Sequence, residues 1–208
     1  GSVEEAFADA KAFALESVNL SSTESVGEYA FVNSNVLTSV TLNPNGTNLD
    51  EGAFAYCEVL KKVENLNAAK KLDSYAFAYT ALTEADLSGA ESLGDYVFMK
   101  ENLTPFKVTL SETITSLGDN PFAMCAIEPF CKVDVVNFNG VDYSKNLYTF
   151  DLSDTVKVID GSLYCKVGTG LELITFAGNE LDEVKIADDT VRITGFAFAG
   201  SKVKLVKM

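Results

Sequence analysis

"TNLDEGAFAYCEVLKKVENL" runs from Thr47 to Leu66, and its pattern stands on both sides of it: "ESVGEYAFVNSNVLTSVTL" occupies 24–42 and "KKLDSYAFAYTALTEADL" occupies 70–87. Aligned on one phenylalanine, the register passes through Phe7, Phe31, Phe54, Phe77, Phe98 and Phe122 at spacings of 24, 23, 23, 21 and 24, and it returns at Phe198. Five residues before the ring stands an aliphatic: Val26, Leu49, Leu72, Leu93, Leu117 or Ile193. An alanine usually precedes the ring, often with an aromatic ahead of it, as in Tyr29-Ala30, Tyr75-Ala76 and Phe196-Ala197.

A second pattern follows each phenylalanine and reads aliphatic-x-x-apolar-x-apolar: "LESVNL" from Leu15, "LTSVTL" from Leu37, "LKKVEN" from Leu60, "LTEADL" from Leu82, "LTPFKV" from Leu103 and "IEPFCK" from Ile127. Alternation in its second half is the period of a strand with one face buried. A unit of this size cannot cover its own apolar side chains, so neighbouring units must stack and form continuous rows of like residues. The small alanine lets successive turns approach while the ring fills the interior. The chain therefore reads as one solenoid over 1–208, with regular repeats of 21–24 residues over 1–131, altered repeats over 132–191 and a final regular repeat over 192–208.

Composition narrows the function. The chain has 208 residues, 47% of them hydrophobic, and no apolar run approaches the 18 or so residues of a membrane-spanning helix. The opening Gly-Ser reads as a cloning remnant, so any targeting signal is expected upstream of it. Net charge is −14 and Arg192 is the sole arginine, which disfavours nucleic acid and anionic lipid as partners. There is no histidine, which removes Ser-His-Asp triads, Cys-His dyads and histidine metal sites. Glycine-rich phosphate loops and nucleophile elbows are missing as well. No catalytic residue and no cofactor are expected. The acids in "DLSDTVKVIDG" from Asp151 and the pair Asp188-Asp189 could offer oxygens to calcium, but they do not match an EF-hand loop and read as turn formers. Cys57 and Cys125 occupy one repeat position, shared with Ser34 and Thr80, and read as small buried thiols. Cys125 and Cys131 are close enough in sequence for a disulfide, which leaves the redox compartment open.

These repeats resemble the bacterial surface leucine-rich repeats of the BspA type, whose unit carries an aliphatic, "AF", a small residue or cysteine, and a strand of the "LxxVxL" kind. The string "VIDGSLYCKVGTGLELITF" from Val158 is similar to that family's divergent unit, with its hairpin-like stretch. The resemblance implies an α/β, β-rich leucine-rich-repeat solenoid: a right-handed superhelix of short parallel strands joined by turns and short helical segments. It also implies export, display at the cell surface, and adhesion to host or neighbouring-cell components.

A partner is expected on the strand exteriors, in two columns. One holds Ser17, Ser39, Lys62, Glu84, Pro105 and Pro129; the other holds Asn19, Thr41, Glu64, Asp86, Lys107 and Cys131. Neither is rich in the aromatics on which sugars stack, so an extracellular protein is the expected ligand, with carbohydrate as the second candidate. A structural spacer within a larger surface protein is the reading that needs no ligand.

Overall fold

A computed structural model describes residues 15–102, 104–127, 149–177 and 182–208. Over the first five repeats the chain alternates longer and two-residue strands: β1 (Ser17–Asn19), β2 (Ser25–Val26), β3 (Ser39–Thr41), β4 (Asn48–Leu49), β5 (Lys62–Glu64), β6 (Lys71–Leu72), β7 (Glu84–Asp86), β8 (Ser92–Leu93), β9 (Thr104–Thr109), β10 (Ser116–Leu117) and β11 (Cys125–Ile127). The two-residue strands form one unbroken parallel ladder in the order β2-β4-β6-β8-β10. Their aliphatics Val26, Leu49, Leu72 and Leu93 point inward and are buried. The longer strands form two parallel groups, β1-β3-β5 and β7-β9-β11. No ladder joins β5 to β7. The chain leaves β5 through Asn65, whose backbone is left-handed (φ 62°), into a 3-10 turn at Leu66–Ala68 that packs against β7.

The phenylalanines form the row expected of stacked repeats. Ring centroids are 5.1 Å apart for Phe31–Phe54, 5.3 Å for Phe54–Phe77, 5.6 Å for Phe77–Phe98 and 5.9 Å for Phe98–Phe122, each pair within 11° of parallel. Phe54, Phe77, Phe98 and Phe122 are fully buried, with Ala53, Ala76 and Val97 beside them.

The expectation of an α/β fold with short helical segments needs correction. The only helical element among the described residues is the 3-10 turn at Leu66–Ala68. The "AF" segments are paired turns, and their hydrogen bonds show why. In the repeat of Phe54 the N–H groups of Ala53, Ala55 and Cys57 donate to carbonyls three residues back in the same coil. Those of Gly52, Phe54 and Tyr56 donate instead to Ser74, Ala76 and Ala78 of the next coil, at 2.8–2.9 Å. An α-helix would satisfy all of these donors internally and leave none to bind the neighbouring turn. Every second residue of the segment is thereby tied across the stack.

In the altered region, β12 (Phe150–Asp151), β13 (Val156–Ile159), β14 (Ser162–Val167) and β15 (Gly170–Thr175) run antiparallel, each to the next. β13 turns into β14 at Asp160-Gly161, both with positive φ (47° and 75°), as a two-residue hairpin of the right twist requires. β15 then pairs in parallel with β17 (Thr190–Ile193) of the final repeat, and β16 (Glu183–Lys185) pairs with β18 (Leu205–Lys207). Val156, Val158, Leu163 and Ile174 share the hydrophobic cluster of the regular coils. Arg192 spans from the final repeat to Asp119 (2.8 Å) and to the mostly buried Glu172 (2.6 Å).

Candidate functional site

Pairing of β1, β3 and β5 sets the first three coils of the strand columns. Ser17, Ser39 and Lys62 stand side by side, as do Asn19, Thr41 and Glu64, and their side chains are exposed or half-buried while Val40 between them is buried. Lys62 bonds Glu64 at 2.5 Å and Thr41 donates to Glu64 at 3.1 Å. These two hydrogen bonds hold the Glu64 carboxyl below its ordinary range.

One assignment is corrected. Lys107 stands beside Glu84, not Asp86, and Asp86 is partnered by Thr109. The reason is that β9 is six residues long, and its Val108, not Phe106, takes the place across from Ala85. Phe106 instead turns into the core against Phe98, at 5.4 Å. Side chains on a strand alternate with a period of two, so a two-residue slip keeps Lys107 on the same exposed face and moves it to the other column. Pro105 belongs to the half of β9 that pairs with β11. Phe7, Pro129 and Cys131 lie outside the described residues.

The gap between β5 and β7 opens a cleft of about 440 Å³ on this face. Lys62, Glu84, Asp86 and Lys107 flank it, with Val63, Leu66 and Leu82 contributing apolar lining. The two columns are thus divided between two strand groups with a recess between them, which an unbroken sheet would not offer.

The thiols behave as core groups. Cys57 and Cys125 are buried and free, and each S–H donates to the carbonyl of the phenylalanine one coil earlier, Phe31 at 3.1 Å and Phe98 at 3.2 Å. Burial pushes their pKa up to about 11 and about 12. Lys100 is buried too, donating to the Thr80 carbonyl at 2.7 Å and lying 5.2 Å from the Phe106 ring centre; burial lowers its pKa to about 8. Of the acids weighed for calcium, Asp151 pairs with Lys157 and Asp188 with Lys185. No group of three acids or thiols able to hold a metal assembles among the described residues.

A second surface went unread in the sequence. The described "AF" turns take left-handed backbone two residues before the phenylalanine and, except at Lys100 after Phe98, two residues after it as well. The first column holds Tyr29, Gly52, Tyr75, Tyr96, Asn120 and Phe196; the second holds Asn33, Tyr56, Tyr79, Met124 and Gly200. Glycine and asparagine are the ordinary occupants of such backbone, and a bulky residue there is uncommon. Here six aromatics take it. Together with Val32, Ala55 and Met99 they line an open groove of about 610 Å³. Tyr56 and Tyr79 stack at 4.6 Å, Tyr75 and Tyr96 lie 5.5 Å apart, and Phe196 meets Tyr96 edge-on at 6.0 Å. The Tyr29 hydroxyl donates to Glu51, and that hydrogen bond raises its pKa to about 12. Burial, with nearby acids, raises Tyr75 and Tyr96. Gly52 makes room for the Tyr29 ring, whose edge lies 2.3 Å from where a Cβ would be. The sequence signal was the recurring aromatic before "AF", which is easily taken for core.

Parallel coils, an internal phenylalanine row and paired two-sided ladders define a β-solenoid of leucine-rich coils. Residues 4–128 match the BspA type leucine rich repeat region in 6 copies, and the chain belongs to that family. Among solved structures it is similar to a leucine-rich repeat protein from Eubacterium ventriosum, with 18% identity and a TM-score of 0.62 over 93% of this chain and 47% of that one. It is also similar to a leucine rich cell surface protein from Faecalibacterium prausnitzii, with 21% identity and a TM-score of 0.60 over 97% and 59% of the two chains. The pneumococcal vaccine antigen PcpA aligns with 16% identity and a TM-score of 0.53 over 88% and 50%. At these identities the likeness is one of fold, and the chain spans about half the length of these neighbours. Comparison with curated proteins finds no match. No helix among the described residues is long and apolar enough to cross a membrane.

Proposed function

We propose that this chain is a non-enzymatic binding module of an exported bacterial surface protein, and that it engages an extracellular protein through the exposed strand face. The observation that carries this reading is the recess between β5 and β7, where Lys62 and Lys107 stand near Glu84 and Asp86 around a partly apolar floor. Mixed charge around an apolar centre is the make-up of a protein interface, with a polar rim that sets register and a core that excludes water. Ser17, Asn19, Ser39, Thr41 and Glu64 extend that face along the coils. The family supports display outside the cell, and one of its structural neighbours is named as a cell surface protein.

The test is biolayer interferometry of the folded chain against immobilised matrix proteins, mucins and polysaccharides, beside a variant carrying Lys62→Glu, Glu64→Lys, Glu84→Lys and Asp86→Lys. The reading predicts binding to at least one protein, lost in the variant. Undiminished binding by the variant would remove the strand face from the reading. No binding to any surface would favour a spacer role, and binding to polysaccharide alone would favour a glycan ligand.

A further inference from the structure

The tyrosine groove lies on the turns, away from the strand columns, and its chemistry differs from theirs. Its rings are not there for the fold: Gly52, Asn120 and Asn33 occupy the same left-handed places in other coils and complete the same turns. Tyr56 and Phe196 leave 47% and 49% of their surface in solvent. Because Tyr56 and Tyr79 stack from one coil to the next, they cover one another's faces and leave edges for a ligand, while the Tyr79 hydroxyl is taken by Met99 Sδ at 3.5 Å and the Tyr29 hydroxyl by Glu51. That leaves little free ring face for a sugar, and it makes ridges separated by one coil. An extended polyproline II chain suits such ridges, since its prolines pack against aromatics and its preformed backbone loses little entropy on docking.

Charge selects further. Glu51 holds the Tyr29 hydroxyl, Asp95 acts on Tyr75 and Tyr96, and Glu101 acts on Tyr79. The cation at the Phe196 end, Arg192, is engaged by Asp119 and Glu172. Glu51 lines the groove and attracts a cation, and the half-exposed Phe196, which does not stack face to face with Tyr96, leaves ring surface open to a guanidinium. We propose that this groove docks an extended, proline-rich segment of a partner protein that carries arginine. The proposal rests on the reading of the chain as a binding module but uses a surface separate from the strand face.

The experiment is fluorescence anisotropy of the whole chain with a labelled dodecapeptide repeating Arg-Pro-Pro. Companion peptides of equal length repeat Glu-Pro-Pro and Arg-Gly-Ser, and an unlabelled linear glucan oligosaccharide serves as competitor. Saturable binding of the Arg-Pro-Pro peptide, at least tenfold tighter than either companion, is expected. Tyr56→Ala with Tyr79→Ala, which leaves net charge unchanged, should weaken it at least tenfold, and Glu51→Gln severalfold with a smaller salt dependence. Gly52→Ala, which displaces the Tyr29 ring, should weaken it severalfold as an independent perturbation; circular dichroism and urea midpoints establish that each variant is folded. The variant reversed at Lys62, Glu64, Glu84 and Asp86 should bind the peptide as well as the native chain does, which separates this proposal from the strand-face reading. Equal binding by folded tyrosine variants would mean that net charge alone attracts the peptide, and would overturn the proposal. Equal affinity for Arg-Gly-Ser, or displacement by the glucan, would do the same.

Discussion

Replacing Tyr56 with asparagine should leave the stability of the fold nearly unchanged, whereas replacing Phe54, two residues earlier, with alanine should come close to unfolding it. Phe54 is fully buried with a ring on each side, at 5.1 Å and 5.3 Å, so truncation leaves a cavity in a continuous row and costs about 3–5 kcal/mol. Tyr56 stands in left-handed backbone (φ 59°), and it is 47% exposed. Its removal forfeits the stack on Tyr79, roughly 1 kcal/mol. Against this, a left-handed tyrosine carries a penalty of about 1–2 kcal/mol that asparagine, the residue at the matching Asn33, largely escapes. The two terms nearly cancel, and the net change should stay within about 1 kcal/mol. Urea unfolding followed by far-ultraviolet circular dichroism, with m-values compared between variants, measures both. A loss for Tyr56→Asn as large as that for Phe54→Ala would show that the outer rings hold the coils together, and would refute the argument that they are free for recognition.

Three further outcomes follow from buried groups. Lys100 has its pKa lowered from 10.5 to about 8 by burial, so the unfolded chain binds more protons between those values and the cost of burying the charge, about 3 kcal/mol at most, is present below pH 8 and relieved as pH rises to 10.5. Lys100→Met should therefore gain its stability advantage at neutral pH and lose it through that window; the difference between the two proteins, measured in urea at each pH, separates Lys100 and the Cys125 thiol coupled to it from Cys57 and Tyr29, whose raised pKa values act in the opposite direction above pH 9. Arg192→Gln should destabilise the final repeat by roughly 2 kcal/mol, because it leaves Glu172 mostly buried without its partner, and a thermal melt should resolve the loss. Cys57, Cys125 and Cys165 should resist iodoacetamide at pH 8 in the folded chain and react in denaturant, as read by peptide mapping, since burial raises all three thiols.

The strands and the phenylalanine row were legible because both follow from periodicity: alternation with a period of two marks Val40 and Val63 as inward, and a ring recurring every 21–24 residues must stack on its neighbours. The register at β9 was not, because "TPFKVTL" alternates apolar residues at Phe106, Val108 and Leu110, and two choices of centre fit equally well. Only the pairing with Ala85 decides between them. The helical expectation failed for another reason. Short helical segments were implied by the family resemblance and not by the residues of the "AF" segment, and the stack requires half of its N–H groups to leave the coil. The tyrosine groove was half visible, since Gly52, Asn33, Asn120 and Gly200 share its places and mark them as left-handed once aligned. Tyrosine itself gives no such sign, and the gap between β5 and β7 depends on the turn at Asn65, which no periodicity encodes.

The claim that the chain is itself a recognition surface is tested most directly by adhesion under flow. Microspheres coated with the folded chain would be passed over surfaces carrying single matrix proteins, mucin or polysaccharide. Retention on at least one protein surface, abolished by soluble chain as competitor, is the predicted result. Microspheres that roll past every surface while the attached protein remains folded would contradict it and leave the solenoid as a spacer.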